Sequence, residues 1–360
     1  MTFKLTALAA LLTMCAGLSQ AQPLAAYVTN QQQVMVWDNG IIRKIDYMMP
    51  VSLQTGRTTI PYLDNTRSFK IYYGGGVQKV NNGFTNAFQA TDNLVTFLNA
   101  RSLNVFEDGK ITNLTLLCDD YLVGDSLVLY LDGIQNEYKA YYDGGIYPIE
   151  SFLAAQGLSQ ARVSDNIAAY VNYANQFHIF YHGEIIAQED YPVNNFSVGR
   201  NTVAYVDVNR RFKVFHNGTT RTLEDFEPLS YAAGDDLVAY RSNDGYFKIL
   251  YNDSLYSLGY FDPSFVVGDN VVAFSDNTGY LRAFYKGDII TLDNYYPQNI
   301  TVQYNSLAYV SRSNVLRLFT AGEVYDVNAG GVEDWELNYD VLKYRIGQSL
   351  YRVFYRGREY

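Results

Sequence analysis

The chain is short of the residues from which catalytic and metal centres are usually built. It has three His and two Cys in 360 residues. Cys15 lies in an N-terminal apolar run, so Cys118 is the lone thiol beyond it. One cysteine makes neither an internal disulfide nor a thiolate metal site. Cys118 follows Leu116 and Leu117, which suits a buried apolar thiol. His178 and His182 stand four apart in a segment read as strand, where strand rise separates them by about 13 Å, too far to share a metal. No Gly-rich phosphate loop leads from a strand into a helix and no Gly-x-Ser-x-Gly elbow occurs; Asp276-Asn277-Thr278-Gly279 lacks the trailing Glu of a calcium loop. No metal or cofactor is expected. Basic residues number 27 against 37 acids, for a net charge of −10, and form no cluster, so nucleic acid is not an expected partner.

Long apolar runs are also missing. Nothing after residue 21 approaches the ~18 apolar residues of a membrane span. The one apolar run, Leu5 to Leu18, follows Lys4 and ends at Ser19-Gln20-Ala21, the small-residue pattern of a secretory leader. Residues 1–21 are therefore expected to be a signal peptide, and 22–360 a single exported domain. Leu12-Thr13-Met14-Cys15 invites a lipoprotein reading, but Met14 stands where a small residue is normal, so an ordinary leader cysteine is the better reading. A periplasmic or extracellular monomer from a bacterial host is expected.

What the chain has in excess is aromatic: 34 Tyr and 20 Phe with only two Trp. Tyr and Phe favour strands. They also mark a repeat. Phe212-Lys213-Val214-Phe215-His216-Asn217-Gly218 recurs ten times, closing at 40, 75, 109, 144, 183, 218, 253, 287, 322 and 357. A second mark keeps the same period: a short apolar segment ending in an aromatic, as at Tyr27, Tyr205, Tyr240, Phe274 and Tyr309. It is often preceded by Ala, as at Ala204, Ala239, Ala273 and Ala308. One unit, Phe265 to Asn299, reads as four short strands separated by turn residues, with no room for a helix. Segments such as Val271-Val272-Ala273-Phe274 are apolar throughout, as expected for strands covered on both faces. Four-stranded antiparallel units stacked face to face describe an all-β propeller of about ten blades.

Val34-Met35-Val36-Trp37-Asp38 resembles the end of the third strand of WD-type propeller repeats, and the repeat pattern runs through the whole chain after the leader. That resemblance implies the propeller fold. The first repeat lacks its first strand, and the last has only Arg358-Glu359-Tyr360 for its fourth. One ten-bladed ring and two five-bladed rings are both open, the extra residues around Ala154 to Gly157 being the only hint of a break.

The connections from fourth to first strands carry acids beside aromatics. Asp119-Asp120, Glu189-Asp190, Glu224-Asp225 and Glu333-Asp334 precede Tyr121, Tyr191, Phe226 and Trp335, and related segments hold Tyr260-Phe261-Asp262-Pro263 and Tyr295-Tyr296-Pro297. A propeller carries these connections across one face toward its axis. Tyr191, Asp225, Phe226, Phe261, Asp262, Tyr295, Tyr296 and Trp335 are the candidate ligand contacts, with Glu227 and Trp335 as local departures from the repeat. The competing reading is that the rings pack between blades and the acids cap turns. No catalytic residues are assigned, since an active site breaks a repeat rather than echoing it. A noncatalytic module binding a protein partner is expected first, a glycan-binding propeller second and a polysaccharide-acting enzyme third.

Overall fold

The computed structural model describes residues 22–152, 157–193 and 195–360. The expected leader and most of the insertion near Ala154 lie outside them. The described chain forms ten antiparallel sheets. A representative blade, the sixth, comprises Phe196–Gly199, Thr202–Val206, Phe212–His216 and Thr219–Glu224. Its last two strands join through Asn217 and Gly218 at φ of 48° and 83°. Two successive left-handed residues make the hairpin turn whose twist matches the strands, and Asn and Gly adopt that conformation at least cost. The only helical element among the described residues is the single turn Gly157–Gln160.

Packing follows the alternation of small and large residues. Ala204, Ala239, Ala273 and Ala308 are fully buried, each where neighbouring blades approach. Ala204, for example, packs with Val214 of its own blade and Val238 and Tyr240 of the next. Every successive pair of blades shares such an apolar cluster. Full burial of each Phe, Leu or Val in them contributes roughly 1.5–3 kcal/mol. A tenth cluster sets Ala25 and Trp37 of the first blade against Val341, Val353 and Tyr355 of the last. Blades 5 and 6 are joined like the rest, through Ile167, Ile179, Val203 and Phe215. The molecule is therefore one closed ring of ten blades, not two rings of five.

Closure is achieved although the first blade has three strands, Ala25–Val28, Val34–Asp38 and Ile41–Asp46, and none on the axial side among the described residues. Side chains of blade 10 take over the missing hydrogen bonds. The Asn338 amide, 4% exposed, donates to the carbonyls of Leu24 (2.9 Å) and Gly56 (3.0 Å). Lys343 Nζ donates to the carbonyl of Ala26 at 2.9 Å. Blades 10 and 2 thus meet across the inner end of blade 1. Outside, Tyr360 pairs with the backbone of Val353 (2.8 and 3.1 Å), and its ring lies 5.4 Å from that of Trp37.

Two local expectations need correction. His182 is not on a strand with His178; it sits in the hairpin turn after Phe177–Tyr181, at φ 50°. Glu333, Asp334 and Trp335 lie within the first strand of blade 10, Val332–Asn338, and Asp119 to Tyr121 within that of blade 4, Cys118–Val123. Those first strands start earlier than turn chemistry suggested, because pairing with the second strand extends them. Cys118 is buried as expected, and burial pushes its thiol up to about 11.

Candidate functional site

One face of the ring carries the fourth-to-first connections together with the turns between second and third strands. The other carries the remaining two sets of tight turns. Apart from Trp335, which lies within a first strand, the candidate contacts come from the first face, but the structure divides them. Tyr191 and Phe226 project into solvent, 60% and 68% exposed, and Asp225 is exposed beside Phe226. Asp262 is also exposed and pairs with Arg241 at 2.7 Å. Phe261 lies half-buried against Phe247 and Phe274, with ring centroids 5.7 and 6.4 Å away. Tyr295 is half-buried and donates its hydroxyl to the Val310 carbonyl at 2.7 Å. Tyr296 packs into the cluster between blades 8 and 9, and Trp335 into that between blades 9 and 10. Four of the eight candidates therefore reach the surface; Phe261, Tyr295, Tyr296 and Trp335 serve mainly to join blades.

The first acid of the repeated pairs has a structural use as well. In nine blades the pairing of third and fourth strands slips by one residue just after the third strand begins. Such a bulge re-aims the side chain beyond it. Glu189 accepts hydrogen bonds from Tyr205 Oη and Lys213 Nζ, both at 2.7 Å. Glu224 accepts them from Tyr240 Oη and Lys248 Nζ, both at 2.8 Å. In each case the donors belong to the next blade. These acids are blade-to-blade ties, and no property of a single repeat in isolation could show it.

The exposed apolar side chains are distributed unevenly. Among the described residues, every exposed large apolar side chain outside the strands lies on the fourth-to-first face, including Tyr47, Phe84, Phe152, Tyr173, Tyr191 and Phe226. A groove of about 370 Å³ runs between Tyr191, Val208, Arg210 and Glu227. Arg210 donates to Glu227 through Nε (3.2 Å) and Nη2 (2.9 Å), so the departure from the repeat at Glu227 marks the wall of this groove.

The opposite face holds a feature the sequence reading missed. Nine turns between first and second strands place Arg57, Asp92, Asp125, Asp165, Arg200, Asp235, Asp269, Tyr304 and Tyr339 in a circle about the axis. The turns touch through backbone: Asp235 N–H donates to the Asp269 carbonyl (2.6 Å), and Asp269 N–H to that of Tyr304 (2.8 Å). At Gly234 a Cβ would lie 2.1 Å from the Gly268 carbonyl oxygen, so only glycine fits that approach. Arg57 pairs with Asp92 at 3.5 Å and covers the Tyr339 ring at 4.4 Å; Tyr339 in turn stacks on Tyr304 at 3.5 Å. Arg200 lies between Asp165 (3.9 Å) and Asp235 (3.4 Å).

Five carboxylates thus face two guanidinium groups. Burial, followed by repulsion from Asp125, pushes Asp92 up to about 7. Burial and the Asp165 charge push Asp125 up to about 6. Asp269 is raised by burial and by Asp235, Asp125 and Asp92, and Asp235 is raised by burial above all. The charges that raise Asp269 in blade 8 include those of Asp125 and Asp92, in blades 4 and 3 across the ring. No group of three His, Cys, Asp or Glu among the described residues is arranged to hold a metal ion. Its trace in the sequence was the charged residue after Gly in Gly124-Asp125, Gly199-Arg200, Gly234-Asp235 and Gly268-Asp269, which turn chemistry alone explained. On the same face, between blades 6 and 7, the buried His216 lies between Asp236 (3.0 Å) and Asp253 (3.1 Å), and the hydrogen bond to Asp236 leads in raising its affinity for a proton.

Comparison with known proteins agrees with the blade count. Among solved structures the chain is similar to the computationally designed Ika8 protein, at 14% identity over 75% of this chain and 96% of that one, with a TM-score of 0.35. It is similar to Hsv2p of Kluyveromyces lactis, at 12% identity over 65% and 92% of the two chains and a TM-score of 0.32. Yeast RCC1 (Prp20), solved with Kap60, gives 9% identity over 56% and 69% and a TM-score of 0.34. Likeness at this level leaves function to be argued from the chain itself. No curated protein matches the chain in sequence. A family model described as a 10-bladed beta propeller domain matches residues 18–360. The chain belongs to the family of ten-bladed β-propeller domains.

Proposed function

We propose that the protein is an exported, noncatalytic binding module that engages a protein partner through the fourth-to-first face. The observation that carries this reading is the one-sided exposure of large aromatic and aliphatic side chains around the Tyr191–Glu227 groove. Exposed rings bordered by charged pairs such as Arg210–Glu227 match the make-up of protein interfaces, where aromatic and Arg side chains dominate the binding energy. A glycan site would draw on a row of open ring faces. Phe261, Tyr296 and Trp335, which would extend such a row, pack between blades instead. Export rests on the leader-like residues 1–21, and function outside the cytoplasm follows from it.

Photo-crosslinking in the native host tests the reading, with a photoreactive residue placed in turn at positions 191, 226 and 217. A shared protein adduct from 191 and 226 but not from 217 is the expected result, and Tyr191→Ala combined with Phe226→Ala should weaken capture at least tenfold. Adducts from 217 alone, or retention on a polysaccharide that the double variant does not lose, would overturn it.

A further inference from the structure

The exposed apolar side chains of the fourth-to-first face form a crescent rather than a full circle. Tyr47, Met48, Met49 and Val51, 48–71% exposed, occupy the connection from blade 1 to blade 2. Phe84 is exposed in the connection from blade 2 to blade 3, and Leu116 in the next. Phe152, Tyr191 and Phe226 continue the crescent through the connections leaving blades 4, 5 and 6. The connections from blade 8 to blade 9 and from blade 9 to blade 10 expose no large apolar side chain among the described residues. Six successive connections are therefore apolar, and the crescent is centred on blade 4. Its nine side chains, at on the order of 100 Å² apiece, amount to roughly 900 Å², against the ~800 Å² per partner of a standard stable interface.

Charge divides the crescent into two ends. At the end formed by blades 1 and 2, Lys44 and Arg67 are exposed and carry no ion pair among the described residues, Lys44 resting on the Tyr47 ring at 4.3 Å. At the end formed by blades 5 to 7, Asp190 and Asp225 are exposed and likewise unpaired. Residues 22–115, which make blades 1 to 3, hold eight basic residues against six acids in a chain whose net charge is −10. In a ring of ten evenly spaced blades, consider a two-fold axis lying in the plane of this face and passing through blade 4. It lays blades 1, 2 and 3 of one copy over blades 7, 6 and 5 of another. The connection holding Tyr47 to Val51 then meets that of Phe226, Phe84 meets Tyr191, and Leu116 meets Phe152. Arg67, in the turn between the second and third strands of blade 2, comes over blade 6 between Asp190 and Asp225. Lys44, in blade 1, comes over blade 7 beside Asp225. Apolar connections meet apolar ones and both cations meet acids, which is the self-complementarity that an isologous contact requires. A foreign partner would have to supply both charges and the same length of apolar surface, whereas a second copy supplies them by symmetry.

We propose, resting on the reading of this face as a protein interface, that its partner is a second copy of this chain, docked face to face about a two-fold axis through blade 4. The dimer takes the place of the monomer expected from sequence alone. Sedimentation velocity on the purified protein over a dilution series should show a dimer that dissociates on dilution, and more readily at high salt. Arg67→Glu sets like charge over Asp190 and Asp225 and should weaken the dimer about tenfold with an unchanged thermal melt, since Arg67 is exposed. Adding Asp190→Arg and Asp225→Arg to that variant restores opposite charges across the contact and should recover the dimer. Phe84→Cys mixed with Tyr191→Cys should couple through a short bis-maleimide, while neither variant couples to itself; the native Cys118 is buried and takes no part. A monomer at every concentration, a dimer indifferent to Arg67→Glu, no recovery in the triple variant, or self-coupling of Phe84→Cys overturns the proposal. A monomer whose positions 191 and 226 crosslink to a foreign protein removes only the second copy as occupant and leaves the interface reading standing; a monomer without such adducts removes both.

Discussion

Raising the pH from 5 to 8 should destabilise this propeller, against the habit of proteins whose carboxylates are mostly ion-paired. Asp92 and Asp125, pushed up to about 7 and about 6 in the folded ring, return to about 3.9 when the chain unfolds. A carboxyl raised in this way contributes stability that is fully present below its unfolded value and lost as pH rises through its folded one. For Asp92 the loss between pH 5 and 8 is about 2–3 kcal/mol. The acids share one space, so their protonations compete and the losses do not add in full; about 3 kcal/mol for the circle is the working figure. For a chain of this size the unfolding entropy is about 0.7 kcal/mol/K, so the melting temperature should fall by about 4 °C. His216, whose affinity for a proton is also raised, acts in the same direction. Asp64 and Asp276, lowered to about 2 against burial by hydrogen bonds from Thr66 and Thr278 and by Lys70 and Arg282, lose their contribution only as pH falls below about 4. Maximum stability therefore belongs near pH 5. Scanning calorimetry across this range on the wild type and on Asp269→Asn checks the argument. The variant removes an ion from the circle and should melt higher than wild type at pH 8 with a flatter pH profile. A wild-type melting temperature that rises between pH 5 and 8, or an Asp269→Asn variant less stable at pH 8, would refute it.

Two further outcomes are expected. Asn338→Ala leaves the buried carbonyls of Leu24 and Gly56 without their donor and should cost about 1–3 kcal/mol in urea unfolding. Faster amide exchange at Ala25 and Ala26 should accompany it, whereas a loss spread evenly over all blades would mean that Asn338 is not the closing contact. Ala239→Leu inserts carbon into the fully buried contact between blades 7 and 8 and should cost about 1–3 kcal/mol; an unchanged unfolding midpoint would contradict that packing.

The sequence by itself determined the blades. A period of about 35 residues, the turn dipeptides and strands apolar on both faces are local properties, and local properties sufficed to place Ala204, Ala239, Ala273 and Ala308 at the blade contacts. It also identified the face that carries Tyr191 and Phe226, because the order of strands alone decides on which side each connection runs. Only the tertiary structure decided what depends on contacts between different blades. The ring closes as one because Asn338 and Lys343 reach the backbone of residues near the other end of the chain. Glu189 and Glu224 became ties rather than ligands because a bulge in one blade turns them toward donors in the next. Asp92, Asp125 and Asp269, separate turn residues in the sequence, are raised together by burial and by neighbouring acids because ring closure gathers these turns around one axis. Periodicity specifies the repeated unit, whereas the electrostatics of the axis arise where ten units, each slightly different, are forced to share a centre.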